Sequence, residues 1–104
     1  VAVVVVDNDA AGSARAVVEA YRSRIAWPVT YARERVQGIS YARNRAIRLA
    51  LERGADFVAF VDDDEVVAEA WLDELVDVQA RYDADIVAGP VLPRYEPGTP
   101  GWVA

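Results

Sequence analysis

The chain opens on an unbroken apolar run, Val1-Ala2-Val3-Val4-Val5-Val6, that stops abruptly at Asp7-Asn8-Asp9 and a Gly12-Ser13 turn. A continuous β-branched run, rather than an alternating one, is what a central strand of a parallel sheet requires, because such a strand is covered on both faces. A helical period takes over at 14–24, where Ala14, Val17, Val18, Tyr21 and Ile25 fall together and predict a surface helix packed on the sheet. Pro28 then introduces a short second strand, Val29 to Arg33. A helix is expected over about 40–53, with Ser40 as its candidate N-cap and Gly54 at its C-terminal stop. The next apolar run, Phe57-Val58-Ala59-Phe60-Val61, also ends in acid, at Asp62-Asp63-Asp64-Glu65. Residues 68–82 suit an amphipathic helix, with Ala68, Trp71, Leu72, Leu75 and Val76 on one face and Glu69, Asp73 and Asp77 on the other. Asp85 to Leu92 reads as a last strand.

Strands alternating with helices imply an α/β fold, a mostly parallel sheet with helices packed on it and right-handed crossovers. The expected domain covers residues 1–92, and the segment 93–104, with three of the five prolines, reads as extended chain leaving it. Trp27 and Trp71 are expected in the core or at its edge, whereas Trp102 in the Pro/Gly segment either packs back or offers a stacking platform. Residues 1–6 are too few for a membrane span and no basic region precedes them, so a cytoplasmic domain is the default expectation. The chain lacks an initiator Met and begins inside a buried-type strand, which is expected of a fragment.

Composition narrows the chemistry sharply. Among 104 residues there is no His, Cys, Met or Lys, so all eleven cations are Arg. Zinc sites of the usual kind, Ser-His-Asp or Cys-His nucleophiles, disulfides, P-loop lysines and Schiff bases are all excluded. What remains is carboxylate, Arg, Asn, hydroxyl and Tyr, a set that suits a hard cation with oxygen ligands. The net charge of -6 is unevenly spread: residues 1–55 carry nine Arg against five acids, and residues 56–104 carry two against twelve. So dipolar a chain is a poor general nucleic-acid binder.

In an open parallel sheet the ligand crevice lies beyond the carboxyl ends of the strands. Asp7-Asn8-Asp9 and Asp62-Asp63-Asp64 each follow an apolar run at that rim, so one pocket is expected to receive both. Consecutive acids repel one another, and a divalent cation would relieve that repulsion; in extended backbone Asp62 and Asp64 face one way and Asp63 the other. The competing reading is plainer. Residues 62–65 would be a solvated turn lending negative charge to the next helix, worth about 0.3–1 kcal/mol, and Asp7 and Asp9 an Asx turn with Asp9 capping the first helix.

On the 40–53 helix, Tyr41, Arg45, Arg48 and Glu52 group on a polar face assigned to solvent, while Arg43 and Asn44 fall on the sheet-facing side. Burying them there requires partners. A carboxylate at the sheet edge and a ligand phosphate or sugar are equally good candidates.

Taken in order, VVVVDNDAAGS, GISYARNRAI, FVAFVDDDE, AWLDEL and ADIVAGPVLPR cover nearly the whole chain. This succession resembles the nucleotide-sugar-binding domain of glycosyltransferase family 2, of GT-A fold. The resemblance implies the Rossmann-like nucleotide-binding half of an inverting glycosyltransferase, which moves a sugar from a nucleotide-diphosphate sugar, a UDP-sugar foremost, to a carbohydrate or lipid-linked acceptor hydroxyl. It implies nucleotide-binding roles for Asp7, at the nucleoside base, and for Asp9, Gly38, Arg43, Asn44 and Asp62, and a DxD motif in which Asp64 and Asp62 hold Mn2+ or Mg2+. The family's P-x-(Tyr/Phe)-Asn first strand and its acceptor-side half, with the catalytic base, are expected outside this chain, and membrane association would come through those regions. Two alternatives stand beside it: a non-catalytic α/β binding module with a structural cation, and a phospho-aspartate type α/β domain, which normally needs a lysine.

Overall fold

Val3–Asp7 (β1) and Val29–Arg33 (β2) lie side by side as parallel strands, with Val3 opposite Val29, Val5 opposite Tyr31 and Asp7 opposite Arg33. Parallel neighbours cannot be joined by a tight turn. The crossover is the helix Ala14–Arg22 (α1), which packs on both strands, and Ile39–Glu52 (α2) packs on β1. A β-α-β unit is therefore the frame on which the acid end of β1 is displayed. The computed structural model describes residues 1–103, which fall into two units, Val1–Val58 and a second one from Ala59 onward. The second unit carries the helix Trp71–Tyr82 (α3).

The α/β class with a parallel sheet is as expected, and β2 begins and ends where its sequence places it. Among the described residues, however, the sheet has two strands, and neither 57–61 nor 85–92 is one of them. A strand exists only through the ladder it shares with a neighbour. Here the apolar side chains of both runs stay in contact with solvent, Phe57 at 62% and Ile86 at 87% exposure. Apolar content predicts the wish to be buried, not the presence of a partner.

Helix starts also differ in detail. Gly38, not Ser40, is the N-cap of α2, because its φ of +141° lets the chain swing from the β2 exit into the helix. Ser40 lies inside the first turn. α3 begins three residues later than its apolar pattern suggests, behind a turn closed by the Trp71 N–H on the Ala68 carbonyl (3.0 Å). Its far end is closed by Asp83 in the left-handed region (φ +48°), whose N–H returns to Gln79. Asp73 and Glu74 in the first turn and Arg81 in the last oppose the helix dipole favourably.

The faces of α2 are the main correction. Ala42, Arg45, Ala46, Leu49 and Ala50 are the residues withdrawn from solvent, and Arg43 and Asn44 are exposed. Ala50 is the buried residue of this helix, which packs on β1, and the Arg45 Nε is buried without a hydrogen-bond partner. Ile47 and Leu51, apolar though they are, remain exposed. Trp27 is likewise exposed at 47% rather than part of a core.

Candidate functional site

β1 delivers its acid into a nearly closed setting. Asp7 is 6% exposed, an unusual burial for a carboxylate, and it is kept there by three donors. Its Oδ1 accepts the Asp9 N–H at 2.9 Å; its Oδ2 accepts the Ala14 N–H at 3.0 Å and the Tyr31 hydroxyl at 2.8 Å. The Ala14 N–H is one of the unpaired amides that open α1, so Asp7 does the capping that the sequence assigned to Asp9. Asp9 instead accepts the Ser13 N–H at 3.2 Å and steadies the 9–13 turn from outside.

These bonds set the charge state. The Asp9 amide is the largest influence holding the Asp7 carboxyl below its ordinary value, and the Tyr31 hydroxyl, the Ala14 amide and the Arg33 charge add to it while burial opposes. Asp9 is lowered as well, chiefly by the Ser13 hydroxyl and then by the Ala11 amide. Tyr31 moves the other way. Burial, then its bond to Asp7, raises the phenol, so it stays a proton donor at neutral pH.

Tyr31 is itself held from two sides. The Arg15 guanidinium lies over its ring at 5.0 Å from the centroid. At Gly12, where φ is +72°, an added Cβ would fall 3.3 Å from the Tyr31 hydroxyl oxygen. The glycine thus serves both the turn and the close approach of that turn to the phenol.

The residue after Asp7 ties a second loop. Asn8 donates through Nδ2 to the Glu34 carbonyl at 3.0 Å and to the Val36 carbonyl at 2.8 Å, and its Oδ1 accepts the Gly38 N–H at 2.9 Å. Two consecutive side chains at the end of β1 therefore organise the two loops beside it, 9–14 and 34–38. Gly38 is brought to this rim together with Asp7 and Asp9; Arg43 and Asn44 lie one turn farther along α2, on its exposed side. Neither Asn8, Tyr31 nor Arg15 is singled out by the sequence. Their partners lie 24 to 30 residues away for the hydrogen-bonded pairs, beyond the reach of local spacing.

In the second unit, residues 62–65 form a turn rather than the extended backbone expected to face Asp62 and Asp64 one way and Asp63 the other. The Glu65 N–H bonds to the Asp62 carbonyl (3.1 Å), and Glu65 Oε2 in return accepts the Asp62 N–H (3.0 Å). Glu65 is thereby turned inward on its own loop, while Asp62, Asp63 and Asp64 are exposed. Among the described residues no group of three or more acids is arranged to hold a metal by itself. An exposed turn of carboxylates offers hard oxygen donors, the class of ligand that suits Mg2+ or Mn2+.

Among the described residues, no helix is long and apolar enough to cross a membrane. The profile of glycosyl transferase family 2 matches residues 1–104. The Succinoglycan biosynthesis protein ExoM of Rhizobium meliloti (strain 1021) is 40% identical over 101 residues, which cover 97% of this chain and 32% of that protein. The chain thus spans about a third of the length of that curated relative. No solved structure matches it.

Proposed function

The chain belongs to glycosyl transferase family 2, and on that premise we propose that it supplies the donor side of an inverting glycosyltransferase, which transfers a sugar from a nucleotide-diphosphate sugar to an acceptor hydroxyl. The observation that carries this reading is the family match over the full 104 residues. The buried, ionised Asp7 at the end of β1 supports it, because a carboxylate so placed is a fixed acceptor at the rim where α/β sheets take ligands.

Asp7 Oδ1 carries one bond and Oδ2 two, so the acceptor capacity left for a base N–H is on Oδ1. Asp9 and Gly38 frame the same edge, and Arg43 and Asn44 on the exposed side of α2 are assigned to phosphate and sugar. Asp62 and Asp64 are assigned to Mn2+ or Mg2+, with Asp64 the direct ligand. The cation would stabilise the charge that builds on the diphosphate as the glycosidic bond breaks. The acceptor oxygen attacks the anomeric carbon from the opposite face and gives its proton to a carboxylate base supplied outside this chain. A UDP-sugar is the first donor to try. The relative's name places that protein in succinoglycan biosynthesis, which favours a growing glycan, free or lipid-linked, as acceptor here.

The test is transfer itself. The protein containing this chain is incubated with anomerically pure UDP-sugars, Mn2+ and a glycan acceptor, and the product linkage is read by NMR. Inverted linkage supports the reading; retention, or failure to bind any nucleotide sugar with or without Mn2+, contradicts it.

A further inference from the structure

We propose that Asn8 is a positioning residue of the donor site: its carboxamide holds the segment 34–38, and through Gly38 the first turn of α2, in place against the end of β1 before any nucleotide arrives. The proposal rests on the donor-site reading above.

All three of its hydrogen bonds go to the backbone of one five-residue stretch. Each Nδ2 hydrogen serves its own carbonyl, Glu34 at 3.0 Å and Val36 at 2.8 Å, and Oδ1 serves the Gly38 N–H at 2.9 Å. The orientation of the amide is dictated by its neighbours, since reversing it would set an oxygen against two carbonyls and an NH2 against an N–H. Position 8 therefore demands a group that donates twice and accepts once on a short stem. Asparagine meets that demand and aspartate does not, although the two have the same shape.

The segment so held is otherwise tied only lightly. Glu34 gives its N–H to the Asp7 carbonyl at 2.9 Å, and its own carboxylate accepts the Val36 N–H at 2.9 Å. Gly38 is tied to the end of β1 through Asn8, the residue that follows the strand. The Gly38 carbonyl then accepts the Tyr41 and Ala42 N–H groups at 3.1 and 3.2 Å, so the glycine that Asn8 holds is the origin of α2. Freeing it would let the whole edge wander, and a ligand would have to order that backbone on binding, which weakens affinity without removing any contact to the ligand.

The experiment titrates the complete protein carrying this chain with UDP, then GDP and dTDP, in the presence of Mn2+ by calorimetry, for wild type, Asn8→Asp, Asn8→Ala and Asp64→Ala. For the nucleotide that binds, Asn8→Asp is expected to raise Kd by about tenfold or more with stoichiometry unchanged, the loss of two donor bonds setting the scale. A merely structural defect would instead lower the stoichiometry at constant Kd. Kd values for both Asn8 variants within about twofold of wild type, with binding weakened in Asp64→Ala, would overturn the role of Asn8 and leave the donor site standing. Wild type binding none of the three nucleotides overturns the donor-site reading and this proposal with it. If the variants fail to fold, hydrogen exchange on wild type decides: the Gly38 amide should be strongly protected without nucleotide, and exchange at the rate of an open peptide would contradict a preset edge.

Discussion

The Tyr31 hydroxyl donates to Asp7 Oδ2 over 2.8 Å, across the parallel pair from one strand to the other. The register explains the reach. Tyr31 stands opposite Val5, and Asp7 is two residues on, so the two side chains are diagonal neighbours on one face of the sheet. The bond makes β2 a support for the acid that β1 presents. Tyr31→Phe should therefore cost about 1 kcal/mol in thermal or urea unfolding, with one of the Asp7 bonds lost and its partner left short of a donor.

Asp7 should also govern acid stability. Its folded carboxyl lies below the ordinary 3.8, chiefly through the Asp9 amide. A depressed carboxylate contributes stability that is present above the unfolded value and lost as pH falls through the folded one. Wild type should thus lose stability as pH drops from about 5 to below 3, and Asp7→Asn, already weakened at neutral pH, should show a flatter loss over that window. In either orientation Asn at this position sets its NH2 against a backbone N–H, that of Asp9 or that of Ala14. Unfolding midpoints measured from pH 7 to pH 2 check both.

Gly38 should be intolerant of a side chain. Its φ is +141°, and an added Cβ would sit 3.1 Å from Tyr41 Cδ2. Gly38→Ala is expected to destabilise by about 1–3 kcal/mol through backbone strain, with loss of helical signal at the start of α2. Gly54 has φ +72° but open space around it, so Gly54→Asn should be far milder.

By contrast the Asp77–Arg81 pair on α3, at 2.9 Å but with both side chains about two-thirds exposed, should matter little. Arg81→Ala is expected to change stability by at most about 0.5 kcal/mol, and added salt should erase the difference.

Much of this arrangement is legible from residue order. The Val3–Val6 run followed by Asp7 announces a strand that ends in an acid, and Pro28 and the β-branched residues after it mark β2. What local pattern does not carry is partnership. The run at Phe57 has the same apolar signature as β1, yet no ladder forms on it among the described residues. On α2 the residues withdrawn from solvent are Ala42, Arg45, Ala46, Leu49 and Ala50, so Arg45 rather than Arg43 is drawn in, against the faces that helical spacing assigns. Asn8 looks like an ordinary turn residue until the segment 34–38 is folded against it.

The central claim, a nucleotide-diphosphate sugar held through a divalent cation on Asp62 and Asp64, is tested most directly by donor affinity as a function of Mn2+. The complete protein is titrated with a UDP-sugar, with Mn2+ and with chelator, as wild type and as Asp64→Ala. The account predicts that wild-type affinity falls at least about tenfold when the metal is removed, and that Asp64→Ala binds weakly and equally in both conditions. Donor affinity that is independent of Mn2+ in wild type, or that is unchanged in Asp64→Ala, would contradict it.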